Sequence, residues 1–467
     1  MDKNEGTHPS ELGNTGFKKS LGLFSSISII IGIIIGSGAF YIGAYVLQRT
    51  GMSMGLSLLC WVIGALVTLL GALCFAELGA ERPVAGGQVV YLNEGIHPVV
   101  GYSYGFTSLL ISGSGSISAL AIAFPTALLS FVHLSNAGIK LIAVALIVLF
   151  TIINCFGIKI GAIFQNVTTV AKLVPLVVII AAALIFGKQT PHFTFTPITG
   201  GPATAGSIIR MIAFATISAL WAYDGWENLG SVAEEIKNPQ KNLPLALIIS
   251  SFIVGAVYTL FNYAIFKVMP LSKIISTING GNLYIGTEAT KMVFGNVGGI
   301  LVITTMAIAM LSSLNAMTIS FPRMYYAMAQ EKHFFKKFGK LHPKYEVPTF
   351  SLIVQAVIAI LLVLSRNLDQ IVNLVMFATL VYNALTILAV MTYRKKYPKM
   401  ERPFKIFGYP VTVIITLLIY VGLLANTFVE DPMTSIVGMA VPLVGVVVYY
   451  FFDRRLKRNG GGAADAL

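Results

Sequence analysis

The sequence predicts an all-α polytopic membrane protein of twelve transmembrane helices, arranged as two inverted repeats of five spans with two more appended. Three observations carry that expectation. Of 467 residues, 56% are hydrophobic and 11% charged, with a mean hydropathy of +0.81, more apolar surface than a soluble chain of this length can bury. Windows of about 20 apolar residues, the length a bilayer crossing needs, recur twelve times. The first and sixth of these runs are interrupted by glycine and polar residues at similar depths. Lying five spans apart, they cross in opposite directions, the pattern of an inverted repeat with broken helices.

The predicted spans lie at 22–48, 54–77, 101–132, 138–157, 166–187, 205–231, 244–268, 293–328, 348–365, 369–392, 409–427 and 434–452. Several exceed a straight crossing, which implies tilt or helical extension into water. Longer joints at 78–100, 269–292 and 329–347 have room for short helices. The chain therefore divides into a cytoplasmic segment 1–20, a first repeat 21–190, a second repeat 200–395, two appended spans 405–452 and a cytoplasmic tail 453–467. The first residues are polar and the run after them is too long for a cleavable signal, so it is expected to stay as a span. The terminal "GGGAADAL" reads as a flexible tail.

The net charge of +13 is a matter of topology. Numbering loops alternately gathers Lys18, Lys19, Lys237, Lys241, "KHFFKKFGKLHPK", "YRKKYPKMERPFK" and "RRLKR" on one side. The positive-inside rule then places both termini in the cytoplasm, with attraction to anionic lipid as a secondary effect and no nucleic-acid partner. Cys60, Cys74 and Cys155 fall in or beside apolar runs and form neither a disulfide framework nor a metal spacing. The six histidines are scattered. No metal or cofactor is expected.

The interruption in span one is "IIIGSGAF", Ile33–Phe40. Gly36 and Gly38 are poor helix-interior residues, each costing about 1 kcal/mol relative to Ala. A helix that stops there frees N–H and C=O groups, which in hydrocarbon need a buried polar partner. The N–H groups of Ser37 and Gly38, opening the outer half-helix, suit an anion, and carbonyls ending a half-helix suit a cation. A zwitterion with adjacent carboxylate and ammonium fits both, and a free amino acid is the simplest such solute. On its own the triplet also suits close helix packing. The matching break "SALWAYDGWENLG" in span six, where Asp224, Gly225 and Glu227 interrupt an apolar run, favours the binding reading. "SGSGS", Ser112–Ser116 in span three, has no such match and reads as a packing surface.

With these motifs in hand, "GIIIGSGAF", "CFAELGAERPVAGGQVVYL", "WAYDGWENLGSVAEEIKNPQKNLPLALIIS" and "RMYYAMAQEKHFFKKFGKLHPKYEVP" resemble signatures of the amino acid–polyamine–organocation superfamily. Over residues 20–450 the likeness is to the L-type amino acid transporters, whose bacterial members include alanine-serine-cysteine exchangers. The resemblance implies a LeuT-like fold, alternating access and localisation in the plasma membrane. It implies that the N–H groups of Ser37 and Gly38 hold the substrate carboxylate, and that the carbonyls of Ile34, Trp221 and Asp224 take the ammonium. It also implies that the Trp221 ring closes over the substrate. Tyr258, at the matching depth of span seven, either donates to the carboxylate or is an ordinary interior tyrosine.

Lys172 lies about 9 Å into span five. A lysine there costs ~2.5–3.5 kcal/mol unless it snorkels or pairs. The resemblance gives it another role, an ammonium where sodium-coupled relatives bind a cation, tying span one to span eight with Ser312, Ser313 and Asn315 as candidate partners. A fixed charge there would make the carrier sodium-independent. Asp224 departs from members with glycine at this position, and either faces the pocket, attracting basic substrates, or caps the broken helix. Glu234, Glu235 and Lys237 are either solvated or form gate ion pairs. The loop "VHLSNAGIK" lacks the cysteine that bonds a heavy chain in animal members, so no disulfide-linked subunit is expected.

The expected function is sodium-independent exchange of small neutral L-amino acids such as Ala, Ser and Cys. A proton-coupled importer remains the alternative if Lys172 loses its proton on burial, as does a carrier that also accepts basic amino acids. A channel would need ligand rings around a pore. An enzyme would need a catalytic constellation, and no HExxH motif, Ser/His/Asp set or paired catalytic acids is evident.

Overall fold

A computed structural model describes residues 19–36, 38–127, 134–199, 204–330, 334–430 and 432–458. Residues 1–18, Ser37, part of the loop after span three (128–133) and the tail from 459 lie outside the described residues. The chain is all-helical, as expected of a backbone that must satisfy its hydrogen bonds within each span. The first run is split into α1 (Leu23–Ile34) and α2 (Gly38–Arg49). Then come α3 (Met54–Glu81), the short α4 (Gln88–Gly95), α5 (Pro98–Thr107), α6 (Gly113–Ala127), α7 (Asn136–Cys155) and α8 (Ile158–Phe186). The second half holds α9 (Ala205–Tyr223), α10 (Pro239–Val268), α11 (Leu271–Asn279), α12 (Ile285–Phe294), α13 (Asn296–Gln330), α14 (Thr349–Ser365), α15 (Leu368–Lys396), α16 (Val411–Glu430) and α17 (Pro432–Arg458).

Among the described residues nine helical stretches are long and apolar enough to cross a membrane. Shorter apolar helices occur at Leu23–Ile34, Thr349–Ser365 and Gly438–Phe452. The joints at 78–100 and 269–292 contain the short α4, α11 and most of α12, and 329–347 holds a 3-10 turn at Lys336–Gly339. Two spans differ from expectation. The fifth begins at Ile158, eight residues before position 166. The third is interrupted by a π-helical turn at Ser108–Ser112, where Ser114 Oγ donates to Leu109 O at 2.6 Å. A π-turn inserts one residue and re-aims the helix beyond it, a change that hydropathy cannot register. Side chains cap several helices. Ser53 Oγ accepts Leu56 N at the start of α3, and Asn367 and Gln370 form a capping box on α15.

α1 lies at the centre, packed on α8, α10 and α13, while α2 packs on α9 and α3 on α10. α6 is enclosed by α7, α13, α14 and α15. The glycines of "SGSGS" are packing positions, since a Cβ on Gly113 would come within 2.6 Å of Tyr325 Oη and one on Gly115 within 2.9 Å of Val375 Cγ2, while Ser112 and Ser116 face a small cavity. Outward-facing residues of α7, α8 and α16, among them Leu141, Ile163, Ile185 and Leu418, are exposed and apolar, as a lipid-facing surface requires.

Candidate functional site

The two breaks meet. α1 stops at Ile34 and α2 starts at Gly38; α9 stops at Tyr223, and the sixth run continues as a 3-10 helix, Trp226–Glu235. Gly225 between them adopts φ +105, in the region only glycine enters freely, and a Cβ there would sit 2.1 Å from Ile33 Cγ2. A Cβ on Gly38 would lie 3.1 Å from Ala222 Cα, and one on Gly36 2.9 Å from Ser313 Oγ. The glycines thus let two interrupted backbones lie against each other.

The carbonyls released where α1 ends are occupied by side chains from three other helices. Lys172 Nζ on α8, fully buried, donates to Gly32 O at 3.0 Å and Ile35 O at 2.7 Å. Ser313 Oγ on α13 reaches Gly32 O at 2.6 Å and Ile33 O at 3.0 Å. Tyr258 Oη on α10 lies 2.8 Å from Ile34 O and 3.1 Å from Ala222 O, so one hydroxyl spans both breaks. One turn earlier, Thr169 Oγ1 and Gln165 Nε2 donate to Ser28 O at 3.0 and 3.3 Å.

Of the expected partners of Lys172, Ser313 shares its acceptor Gly32 O. Ser312 instead accepts Gln165 Nε2 at 2.8 Å. Asn315 donates to Gln165 Oε1 and to Gly161 O and accepts from Asn154 Nδ2. Residue reasoning missed Gln165 and Thr169, although their spacing to Lys172 (165, 169, 172) is that of a single helix face.

At break two, Asp224 N donates to Trp221 O at 3.3 Å. The carboxylate of Glu227 accepts Gly225 N at 3.2 Å and Asn228 Nδ2 at 3.2 Å, and Asn228 Nδ2 also reaches Gly225 O. Asp224 and Glu227 line a small polar cavity with Asn228, Gln88, Ser112 and Ser116. Its volume of about 10 Å³ is that of a single water. Ser112 is the last residue of the π-turn.

A second cavity, of about 570 Å³, opens beside α2 and α9 and is lined by Tyr41, Tyr45, Arg49, Trp221, Tyr284 and Met376 among others. Trp221 stands at its wall with its indole N–H donating to Tyr41 Oη at 3.2 Å. Tyr41 packs edge-on against both Tyr45 and Tyr284. Arg49 fastens α2 to α9, donating to Phe214 O and Ser218 Oγ and lying over the Phe214 ring.

On the opposite face, where α1 begins, the broken spans are joined by backbone. Ser20 N and Leu21 N donate to Glu235 O, each at 2.9 Å, and Lys237 N donates to Leu21 O at 2.8 Å. Glu235 is paired with Arg323 at 3.1 Å, both buried, so it is an ion-pair member rather than a solvated acid. Glu234 accepts Ala85 N at 3.3 Å. Ile34, Gly36, Gly38 and Tyr258 thus lie at the break in α1, Asp224 lines the small cavity and Trp221 the large one, while Ser37 lies outside the described residues. Among the described residues no group of His, Cys, Asp and Glu is placed to hold a metal ion.

Residues 21–452 match the family model described as amino acid permease. The chain is 31% identical over 445 residues to the serine/threonine exchanger SteT of Bacillus subtilis (strain 168), covering 95% of this chain and 98% of that protein. It is 31% identical over 435 residues to the mouse (Mus musculus) b(0,+)-type amino acid transporter 1, covering 91% and 86%. To the human (Homo sapiens) large neutral amino acids transporter small subunit 2 it is 28% identical over 442 residues, covering 94% and 81%.

Proposed function

Given that the chain belongs to the amino acid permease family of the amino acid–polyamine–organocation superfamily, a family of amino acid transporters, we propose that it exchanges small neutral L-amino acids across the plasma membrane, without sodium, by alternating access. The observation that carries this reading is Lys172 Nζ held between Gly32 O and Ile35 O. It places a lysine amine at the carbonyl end of α1, where sodium-coupled relatives bind a cation.

The N–H groups of Ser37 and Gly38 hold the substrate carboxylate. The carbonyls of Ile34, Trp221 and Asp224 take the ammonium. Ile34 O is already met by Tyr258, and Trp221 O by Asp224 N, but each carbonyl has a second lone pair to offer. The likeness to a protein named as a serine/threonine exchanger supports both exchange and small polar cargo. Residues 21–190 and 200–395 form the inverted repeats, both termini are cytoplasmic, and the large cavity faces outward. No disulfide-linked subunit is part of this reading.

Proteoliposomes loaded with alanine should take up labelled alanine or serine much faster than empty ones, and at the same rate in Na⁺ and in choline. Equal uptake by empty vesicles would overturn exchange, and loss of uptake in choline would overturn sodium independence. A second reading, a carrier that also accepts basic amino acids, is favoured by the two carboxylates of Asp224 and Glu227 on one small cavity. Competition by lysine or arginine at concentrations comparable to alanine would support it.

A further inference from the structure

The segment 397–410 joins α15 to α16 and is fixed from below by acids at the end of α3. Arg394 grips Glu77 with two bonds of 2.6 and 2.7 Å, and the same carboxylate accepts Ile406 N at 2.7 Å. Arg402 pairs with Glu81 at 2.7 Å and donates to the carbonyls of Met400 and Tyr397. The Arg394 guanidinium lies 3.7 Å over the Tyr409 ring. A loop held this firmly presents a defined outer face.

In this segment and at the end of α15 beside it, Lys395, Lys399 and Lys405 are all exposed, with Glu401 as the one exposed acid among them. Phe407 is 88% exposed, and its carbonyl accepts Thr412 Oγ1 at 2.6 Å, which sets it at the first turn of α16. From there Val411, Ile414, Ile415 and Leu418 continue as an exposed apolar stripe at helical spacing. Phe407 thus extends the exposed apolar stripe of α16 into the loop, and the three exposed lysines are close to it in sequence.

We propose that this face binds anionic phospholipid of the surrounding leaflet, with Phe407 seated at the level of the acyl–headgroup boundary and Lys395, Lys399 and Lys405 on the phosphates. The site is coupled to transport through α3. Glu77 and Glu81, which anchor the loop, end the helix whose Gly71 lies against Trp226 and whose Gly64 lies against Tyr223, both beside break two. Lipid bound here bears on the broken span through one continuous helix.

The test uses the full chain in phosphatidylcholine vesicles with and without phosphatidylglycerol. It compares wild type, the triple variant K395Q/K399Q/K405Q, Phe407→Ser, and a control, K336Q/K337Q/K340Q, that removes as many lysines from another basic loop. Phosphatidylglycerol retained through purification, read by native mass spectrometry, should fall about fivefold per lysine removed from the 397–410 face, fall with Phe407→Ser, and stay near wild type in the control. Exchange should rise with phosphatidylglycerol in wild type and control but not in the triple variant. Equal retention in wild type and the triple variant, or equal loss in the control, would overturn the site in favour of general surface charge. Retention is read without transport, so its outcome is separate from the substrate assignment.

Discussion

Replacing Lys172 by alanine removes the cation from the carbonyl end of α1 and leaves Gly32 O with Ser313 alone and Ile35 O without the ammonium. Each ammonium–carbonyl bond contributes about 1.5–3 kcal/mol, but burying the ammonium offsets much of that. A net of about 1–3 kcal/mol remains, a shift of roughly 5–150-fold in the equilibrium between the carrier's two faces. Substrate binds whichever face is open, so apparent affinity must change unequally on the two sides. The measurement is counterflow of labelled alanine in proteoliposomes of known orientation, with substrate affinity taken from each side and thermal stability in detergent as a folding control. Lys172→Ala should slow exchange at least tenfold, fold, and alter the ratio of the two affinities. Lys172→Arg should rescue poorly, because a planar guanidinium cannot place a point charge between two carbonyls in a filled site. Wild-type rates and an unchanged ratio in both variants would refute the role given to Lys172.

Three further outcomes follow from the same geometry. Gly38→Val should insert and be stable in detergent but fail to bind alanine by scintillation proximity, because even its Cβ would press to 3.1 Å on the Ala222 backbone; normal affinity would exclude this backbone from the site. Tyr258→Phe removes the hydroxyl spanning Ile34 O and Ala222 O; an unmet buried carbonyl costs about 1–3 kcal/mol, and exchange should fall about tenfold with expression unchanged. Tyr41→Phe deletes the acceptor of the Trp221 indole N–H, and a bond of about 0.5–1.5 kcal/mol should appear as a few-fold change in affinity on the vestibule face with none on the other.

What the sequence made legible is what stands out against an apolar background. Gly36, Gly38, Asp224 and Lys172 are each expensive at mid-membrane, and both breaks and the lysine lie together in the structure. Gln165, Thr169 and Ser313 were harder to weigh, because a single hydroxyl or amide in a span is cheap and common; their role follows from the carbonyls they meet, not from their identity. The π-turn at Ser108–Ser112 leaves no trace in hydropathy, since it changes hydrogen-bond register and not composition. The Glu77–Arg394 contact joins residues 317 apart, and no local pattern ties the end of α3 to the end of α15. Tyr41 was hidden for a different reason. Tyrosines are frequent where spans meet water, and only the indole of Trp221 distinguishes this one.

The distribution of bonds around α1 also says what opening toward the opposite face requires. The Leu21 and Glu235 backbones must part, and Arg323 must release Glu235 or carry it along. Two buried charges separated in a dry interior would cost several kcal/mol per ion, more than binding a small substrate supplies if it acts equally on both states. Parting the pair would need water to reach it, whereas a movement in which Arg323 carries Glu235 along would keep the pair intact. Lys172 and Ser313 sit deeper, on helices α8 and α13 that pack against each other. Their bonds to Gly32, Ile33 and Ile35 resist any tilt of α1 that draws its end away from that pair. A carrier with a detachable cation could loosen this clamp by releasing the ion. Here the amine is covalently part of the chain, so in the proposed reading the clamp has to yield by moving the lysine side chain off Gly32 O and Ile35 O, and no ion dissociation can release it.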